Sequence, residues 1–239
     1  MELNLVKRVL DNGGMIRPLI IPFEESGGTG ITNPSILIDN GKILLNLRHI
    51  NYEIYHSEYT QKYPSWAGPL LYVHREDDVC LRTRNYLTEI SPDLELGEIH
   101  WIDTSELDVD PLWTFIGLED GRLVRWDDKL YLIGVRRDTT ENGQGRMEYS
   151  EIEFVDGKPR EISRTRIAAP GSNESYCEKN WMPLIEEPHK FVKWTNPIEV
   201  VEADLETGIS TTIKLGDQRF NAPLDFRGSS QVLTIDDQY

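Results

Sequence analysis

Apolar positions along this chain fall in short runs or strict alternations, separated by clusters of Asn, Asp, Gly and Pro, and almost nowhere at helical three- and four-residue steps. Residues 34–38 (Pro-Ser-Ile-Leu-Ile) meet the turn Asp39-Asn40-Gly41 and then residues 42–48 (Lys-Ile-Leu-Leu-Asn-Leu-Arg). Residues 122–126 meet Asp127-Asp128 and then 129–136, and residues 181–185 meet Glu186-Glu187-Pro188 and then 189–194. Each unit reads as a β-hairpin: strand, tight turn, strand. Further strand-like runs lie between them at 69–74, 147–154 and 197–203, and Arg82-Thr83-Arg84-Asn85-Tyr86 reads as a polar strand end.

The hairpins share an opening. A polar pair precedes each first strand: Thr32-Asn33, Glu119-Asp120 and Lys179-Asn180, with a fourth start at Arg227-Gly228-Ser229-Ser230 before residues 231–235. A degenerate strand-turn-strand repeat with extra strands between copies predicts an all-β chain folded as a β-propeller, although a sandwich or simple meander has the same rhythm. In a propeller the innermost strands run along a central channel, so equivalent strand ends converge on one mouth. Asn33, Glu119, Asp120, Arg122, Lys179, Asn180 and Arg227 would meet there. Neighbouring strand residues point to opposite faces, so only one of Glu119 and Asp120 is expected to face the channel.

Composition narrows the partners. Against 25 Lys and Arg stand 41 Asp and Glu, a net charge of -16, which disfavours nucleic acid and anionic membranes. No run approaches the roughly 18 apolar residues of a membrane span, and residues 1–18 lack the pattern of a secretory signal, so a cytoplasmic location is expected. Cys80 and Cys177 carry no metal-ligand spacing and the five His residues none either, so no metal and no cofactor is expected. Residues 24–30 contain Gly but no Lys and no following helix, which suits a connection rather than a phosphate loop. The whole of 1–239 reads as one domain.

Residues 117–126 (Gly-Leu-Glu-Asp-Gly-Arg-Leu-Val-Arg-Trp) resemble the Gly-x-Glu-Asp-Pro-Arg signature of glycoside hydrolase family 130, the β-mannoside phosphorylases and mannosidases. Residues 32–36 (Thr-Asn-Pro-Ser-Ile) are similar to that family's Phe-Asn-Pro-Gly-Ala element. With Val-Arg-Arg-Asp (135–138) and residues 177–184 (Cys-Glu-Lys-Asn-Trp-Met-Pro-Leu), the chain is closer still to propeller domains found beside glycosyltransferases. The resemblance implies a five-bladed propeller that acts on a mannose-type glycosidic or sugar-phosphate bond, with inorganic phosphate or a nucleotide sugar as co-substrate. It implies sugar contacts from Asn33, Arg48, Asn51, Tyr52, Glu119, Asp120, Asn180 and Trp181, with Asp120 foremost. Phosphate contacts would come from Arg122, Arg136, Arg137 and Lys179, since a guanidinium fork suits phosphate oxygens; ion pairing with Glu119, Asp120 and Asp138 is the structural alternative for these cations.

Inverting cleavage also needs a carboxylic acid to protonate the leaving oxygen. The family's acid is an Asp after the first hairpin, and the matching stretch from Arg48 to Glu58 has none. Glu53 or Glu58, buried against Tyr52, Tyr55 or Trp66, would take its place with a raised pKa. Five blades require about 40 residues each, whereas the fourth hairpin is only reaching its turn at Asp236-Asp237. The last blade is therefore expected to be incomplete, its open edge pairing with another chain. Without an acid, the same scaffold would serve as a non-catalytic sugar-binding or interaction module.

Overall fold

The computed structural model describes residues 4–27, 29–56, 70–171, 175–217, 228 and 230–235. Two short helices, α1 (Leu5–Asp11) and α2 (Phe23–Ser26), precede a succession of strands. The first sheet orders β1 (Ile31–Asp39), β2 (Lys42–Ile50), β5 (Leu81–Ile90) and β6 (His100–Trp101), all antiparallel, with β7 (Phe115–Ile116) added in parallel to β5. A hairpin of β3 (Glu53–His56) and β4 (Leu70–Val73) is inserted between β2 and β5.

The second sheet is an unbroken meander: β8 (Glu119–Trp126), β9 (Lys129–Arg136), β10 (Arg146–Val155) and β11 (Lys158–Arg166). The third repeats it with β12 (Met182–Pro183), β13 (Lys190–Thr195), β14 (Ile198–Ala203) and β15 (Ser210–Leu215). The protein is thus mostly β, in several sheets of which none closes on itself. No helix among the described residues is long and apolar enough to cross a membrane.

All three predicted hairpins form, and the runs at 69–74, 147–154 and 197–203 coincide with β4, β10 and β14. The fourth differs. Residues 231–235 make no hairpin among the described residues; Val232 instead forms a parallel bridge with Leu184 at the inner edge of the third sheet. The stretch Arg82–Tyr86 forms the N-terminal half of β5.

Burial explains the stacking order. In β9 every residue after Lys129 is buried, because the second sheet is covered on both faces. Alternate side chains go to opposite cores: Leu130 and Leu132 pack with Leu37, Leu44 and Leu87 of the first sheet, while Tyr131, Ile133 and Val135 pack with Trp181, Phe191 and Val201 of the third. At about 1.5–3 kcal/mol per large apolar side chain removed from water, these two cores hold the sheets face to face. Polar ties fix the register of the stack. The Trp126 indole N–H is shared between the carbonyls of Leu184 (3.0 Å) and Ile185 (3.2 Å), and Arg125 forks onto Asp39 at 2.5 and 2.7 Å.

Candidate functional site

Asn33 and Asp120 lie near the start of the first strand of their sheets, after Thr32 and Glu119, and Asn180 lies just ahead of β12. Each has a left-handed backbone, with φ of 47°, 54° and 63°. In β1 the pairing to β2 skips one residue between Thr32 and Ser35, and in β8 the pairing to β9 skips one between Glu119 and Arg122. These are bulges, which bend the strand and re-aim its side chains. Asn and Asp are the L-residues that enter this conformation most readily, which is why the repeat carries them. The bulge on β8 also needs a bare neighbour: a Cβ on Gly134 of β9 would collide with the Glu119 carbonyl oxygen.

The three left-handed residues converge. Together with Pro34, Gly121, Arg122 and Gly228 they line one concavity of about 290 Å³. Gly228, the fourth repeat's equivalent residue, sits so close to the Asn180 carbonyl that a Cβ would overlap it. The convergence expected for Asn33, Asp120, Arg122 and Asn180 is therefore present; Arg227 lies outside the described residues.

One guanidinium organises the polar groups. Arg48, buried on β2, donates from Nη1 to Asp120 Oδ1 at 2.6 Å, and its Nη2 lies 3.5 Å from Glu119 Oε2. Its Nη2 also donates to Tyr52 Oη at 3.0 Å and to Thr83 Oγ1 at 3.2 Å. Asp120 accepts a second bond from the Asn33 amide. Of Glu119 and Asp120 only Asp120 lines the concavity, although the left-handed turn at Asp120 lets both carboxyls approach Arg48.

Burial pushes the Glu119 carboxyl above its ordinary pKa; Arg48, Arg137 and Lys179 pull the other way, and Asp120 adds to the rise. Arg122 donates to the carbonyls of Asp120 (2.8 Å) and Gly228 (3.4 Å), while its buried Nε has no partner among the described residues. Burial lowers the Arg122 pKa from its usual value.

Of the other cations, Arg137 is clasped between the rings of Phe115 (5.0 Å) and Tyr176 (5.2 Å) and donates to Tyr176 Oη at 2.9 Å. Lys179 is exposed and makes no ion pair among the described residues. Arg136 goes elsewhere. It is 4 % exposed, bonded to Glu148 at 2.5 Å, and lies 3.7 Å from both Asp138 and Glu161. Neither Arg136 nor Arg137 lines the concavity.

The remaining candidates are divided. Tyr52 is buried beneath Arg48 and meets Tyr72 edge-on. Asn51 spends its amide on main chain, donating to Cys80 O (3.1 Å) and accepting from Arg82 N (2.7 Å). Trp181 is core, packed on Phe191 with its N–H on Glu178, so packing within the core accounts for it. Glu53 is exposed at the start of β3 rather than buried against Tyr52, and Glu58 lies outside the described residues, as does Trp66.

Sequence reasoning named Thr83 only within the polar stretch 82–86 and did not pick out Ser35. Thr83 braces Arg48, and Ser35 Oγ accepts the Leu123 N–H at 2.9 Å. The alternation of Thr83 and Asn85 along β5 was the available sign for the first. A larger cavity of about 430 Å³ lies between the first and second sheets; of its charged lining, Arg136 is bonded to Glu148, Glu161 and Asp108 to Arg164, and Arg84 lies 5.4 Å from the Trp101 ring.

No protein-family description, curated protein or solved structure matches the chain. Among the described residues, no group of His, Cys, Asp or Glu is placed to hold a metal.

Proposed function

We propose that the three sheets are blades of a five-bladed β-propeller and that the protein is a carbohydrate-active enzyme, a glycoside phosphorylase acting on a mannose-type sugar. The observation that carries this reading is the meeting of Asn33, Asp120 and Asn180, from three separate sheets, around one concavity beside Arg48 and Arg122. Asn and Asp side chains turned into a concave site match the hydroxyls of a sugar, and a guanidinium with an unpartnered N–H matches a phosphate oxygen. The resemblance of residues 32–36 and 117–126 to family 130 supports the same substrate class.

In phosphorolysis a phosphate oxygen attacks C1 while the glycosidic C–O bond breaks and the leaving oxygen takes a proton. Arg122, Arg137 and Lys179 are the groups assigned to the phosphate, and Asn33, Asp120 and Asn180 to the sugar.

A mass-spectrometric screen tests the reading. Purified protein is offered mannosides and other glycosides with and without phosphate, and separately nucleotide sugars with acceptors. Sugar 1-phosphate that forms only with phosphate supports the phosphorylase, and Asp120→Asn should then lower turnover at least 100-fold, by analogy with the loss of a positioned transition-state contact. Phosphate-independent cleavage would make the enzyme a hydrolase, and nucleoside diphosphate release a transferase.

One observation favours a second reading. Glu53, the expected proton donor, is exposed, which suits a module that binds sugar without turning it over. Saturable sugar binding with no product on any substrate would establish that reading instead.

A further inference from the structure

Beside the concavity, whose lining includes Arg122 and Asp120, lies an imbalance of charge centred on Glu119. Arg48, Arg122, Arg137 and Lys179 come together from β2, β8, the end of β9 and the approach to β12, against two carboxyls, Glu119 and Asp120. Those carboxyls are not equivalent. Asp120 is held by two donors, Arg48 and the Asn33 amide. Glu119 accepts no hydrogen bond among the described residues, stands 3.5 Å from Arg48, and keeps 15 % of its side-chain surface open. A dianion seated among these cations would place a third negative charge beside Glu119, and like charges so close cannot all remain ionised in a partly desolvated site.

Resting on the phosphate reading given above, we propose that anion binding here is proton-linked: Glu119 takes one proton from solution as a phosphoryl dianion binds, and its carboxylic O–H then donates to an anion oxygen. The step balances. Carboxylate, proton and dianion become a carboxylic acid hydrogen-bonded to the same dianion, and no covalent bond to the anion changes. Burial already raises the Glu119 pKa, which favours that proton uptake.

The groups facing Glu119 are Arg48 and Tyr52 from the first sheet, Asp120 on its own strand, Arg137 from the second sheet and Lys179 ahead of the third. The ordinary ionisations of Arg, Lys, Tyr and Asp fall outside about pH 5–9, so a slope within that range that vanishes in Glu119→Gln belongs to Glu119.

Sulfate is the probe that isolates this proton, because it stays a dianion across that range. Its affinity for the intact chain is measured by calorimetry from pH 5 to 9, with inorganic phosphate and a nucleoside diphosphate as parallel arms. The expected result is a sulfate affinity that falls with rising pH, approaching tenfold per pH unit above the pKa of Glu119, and that becomes flat in Glu119→Gln. Lys179→Ala should weaken sulfate binding while keeping the slope.

A flat wild-type profile, or a slope that survives in Glu119→Gln, overturns the proton link and leaves the phosphorylase reading standing. Absence of binding by sulfate, phosphate and diphosphate at every pH overturns both. The wild-type slope decides the matter even where Glu119→Gln fails to fold. Tight binding of the diphosphate arm alone would identify a nucleotide sugar, rather than free phosphate, as the source of the anion.

Discussion

Asn180 shows how one residue can serve backbone and site together. Its φ of 63° is a conformation that costs most L-residues about 1–2 kcal/mol, and its side chain borders the concavity. Asn180→Ala is expected to lower the unfolding free energy by about 1–2 kcal/mol, whereas Asn180→Gly leaves it nearly unchanged, since glycine enters the left-handed region freely. Both should weaken sugar binding, so urea unfolding and sugar titration together separate the two roles. Glu119 makes a second prediction at this scale. Its pKa is raised in the fold, so the folded chain holds the proton more tightly than the unfolded chain. The resulting stabilisation is complete below the unfolded carboxylate pKa, near 4.5, and is lost as pH rises through the folded value. Relative to Glu119→Gln, the wild-type protein should therefore lose stability across that window, measured by denaturant melts at successive pH values. Much of this residue-level arrangement was legible in the sequence: the recurring Asn or Asp before each hairpin marked the positions that meet. What was not legible was the direction of the Glu119 side chain, because strand alternation fails at a bulge and a bulge of Asp before Gly leaves no separate mark.

Among the elements, β9 is the hinge of the argument, since it is buried on both faces and ends in two arginines with opposite fates. Its apolar run was readable as a strand, but the run alone does not say whether one face or two are covered. Arg136 illustrates the cost of that ambiguity. Adjacent to Arg137 and in a basic-looking motif, it could not be told from a phosphate ligand until β10 and β11 brought Glu148 and Glu161 beside it; the glutamates lie in strands whose pairing the sequence does not state. Arg136→Met would strand the buried Glu148 without its cation, and burial already raises the Glu148 pKa despite that partner. The expected loss is about 3–5 kcal/mol, as for other buried pairs broken from one side. Equilibrium unfolding measures it, and Glu148→Gln in the Arg136→Met background should recover part of the loss. A change below about 1 kcal/mol would mean that the pair is solvated in solution.

At the scale of the whole molecule, the sheets are joined near the concavity by a residue from the far end of the described chain. Gln231 Nε2 lies 3.0 Å from Ser35 Oγ, 2.9 Å from the Ile36 carbonyl and 2.7 Å from the Leu123 carbonyl, while the neighbouring Val232 bridges to Leu184. One amide thus touches the inner strands of the first and second sheets, and its neighbour holds the third. These are contacts of very high sequence separation, so they form only once the sheets have assembled. Ser35 Oγ meanwhile holds the Leu123 N–H, which makes the junction one connected polar cluster. Gln231→Ala removes the donor and leaves the Ile36 and Leu123 carbonyls to water or to nothing, a loss of about 1–3 kcal/mol. Gln231→Glu should cost at least as much, because a carboxylate would face three acceptor oxygens with no donor of its own. If the cluster closes the ring of bulges, either variant will also weaken sugar and sulfate binding, although Gln231 lines no part of the concavity. Hydrogen exchange gives the decisive reading: faster exchange at Leu123 and Val232 in Gln231→Ala, with the β9–β10 amides unchanged, is the pattern of a clasp released from an intact stack. Uniform acceleration through all three sheets would instead make Gln231 part of the global fold, and unchanged exchange at Leu123 would mean that the clasp carries no strain of assembly at all.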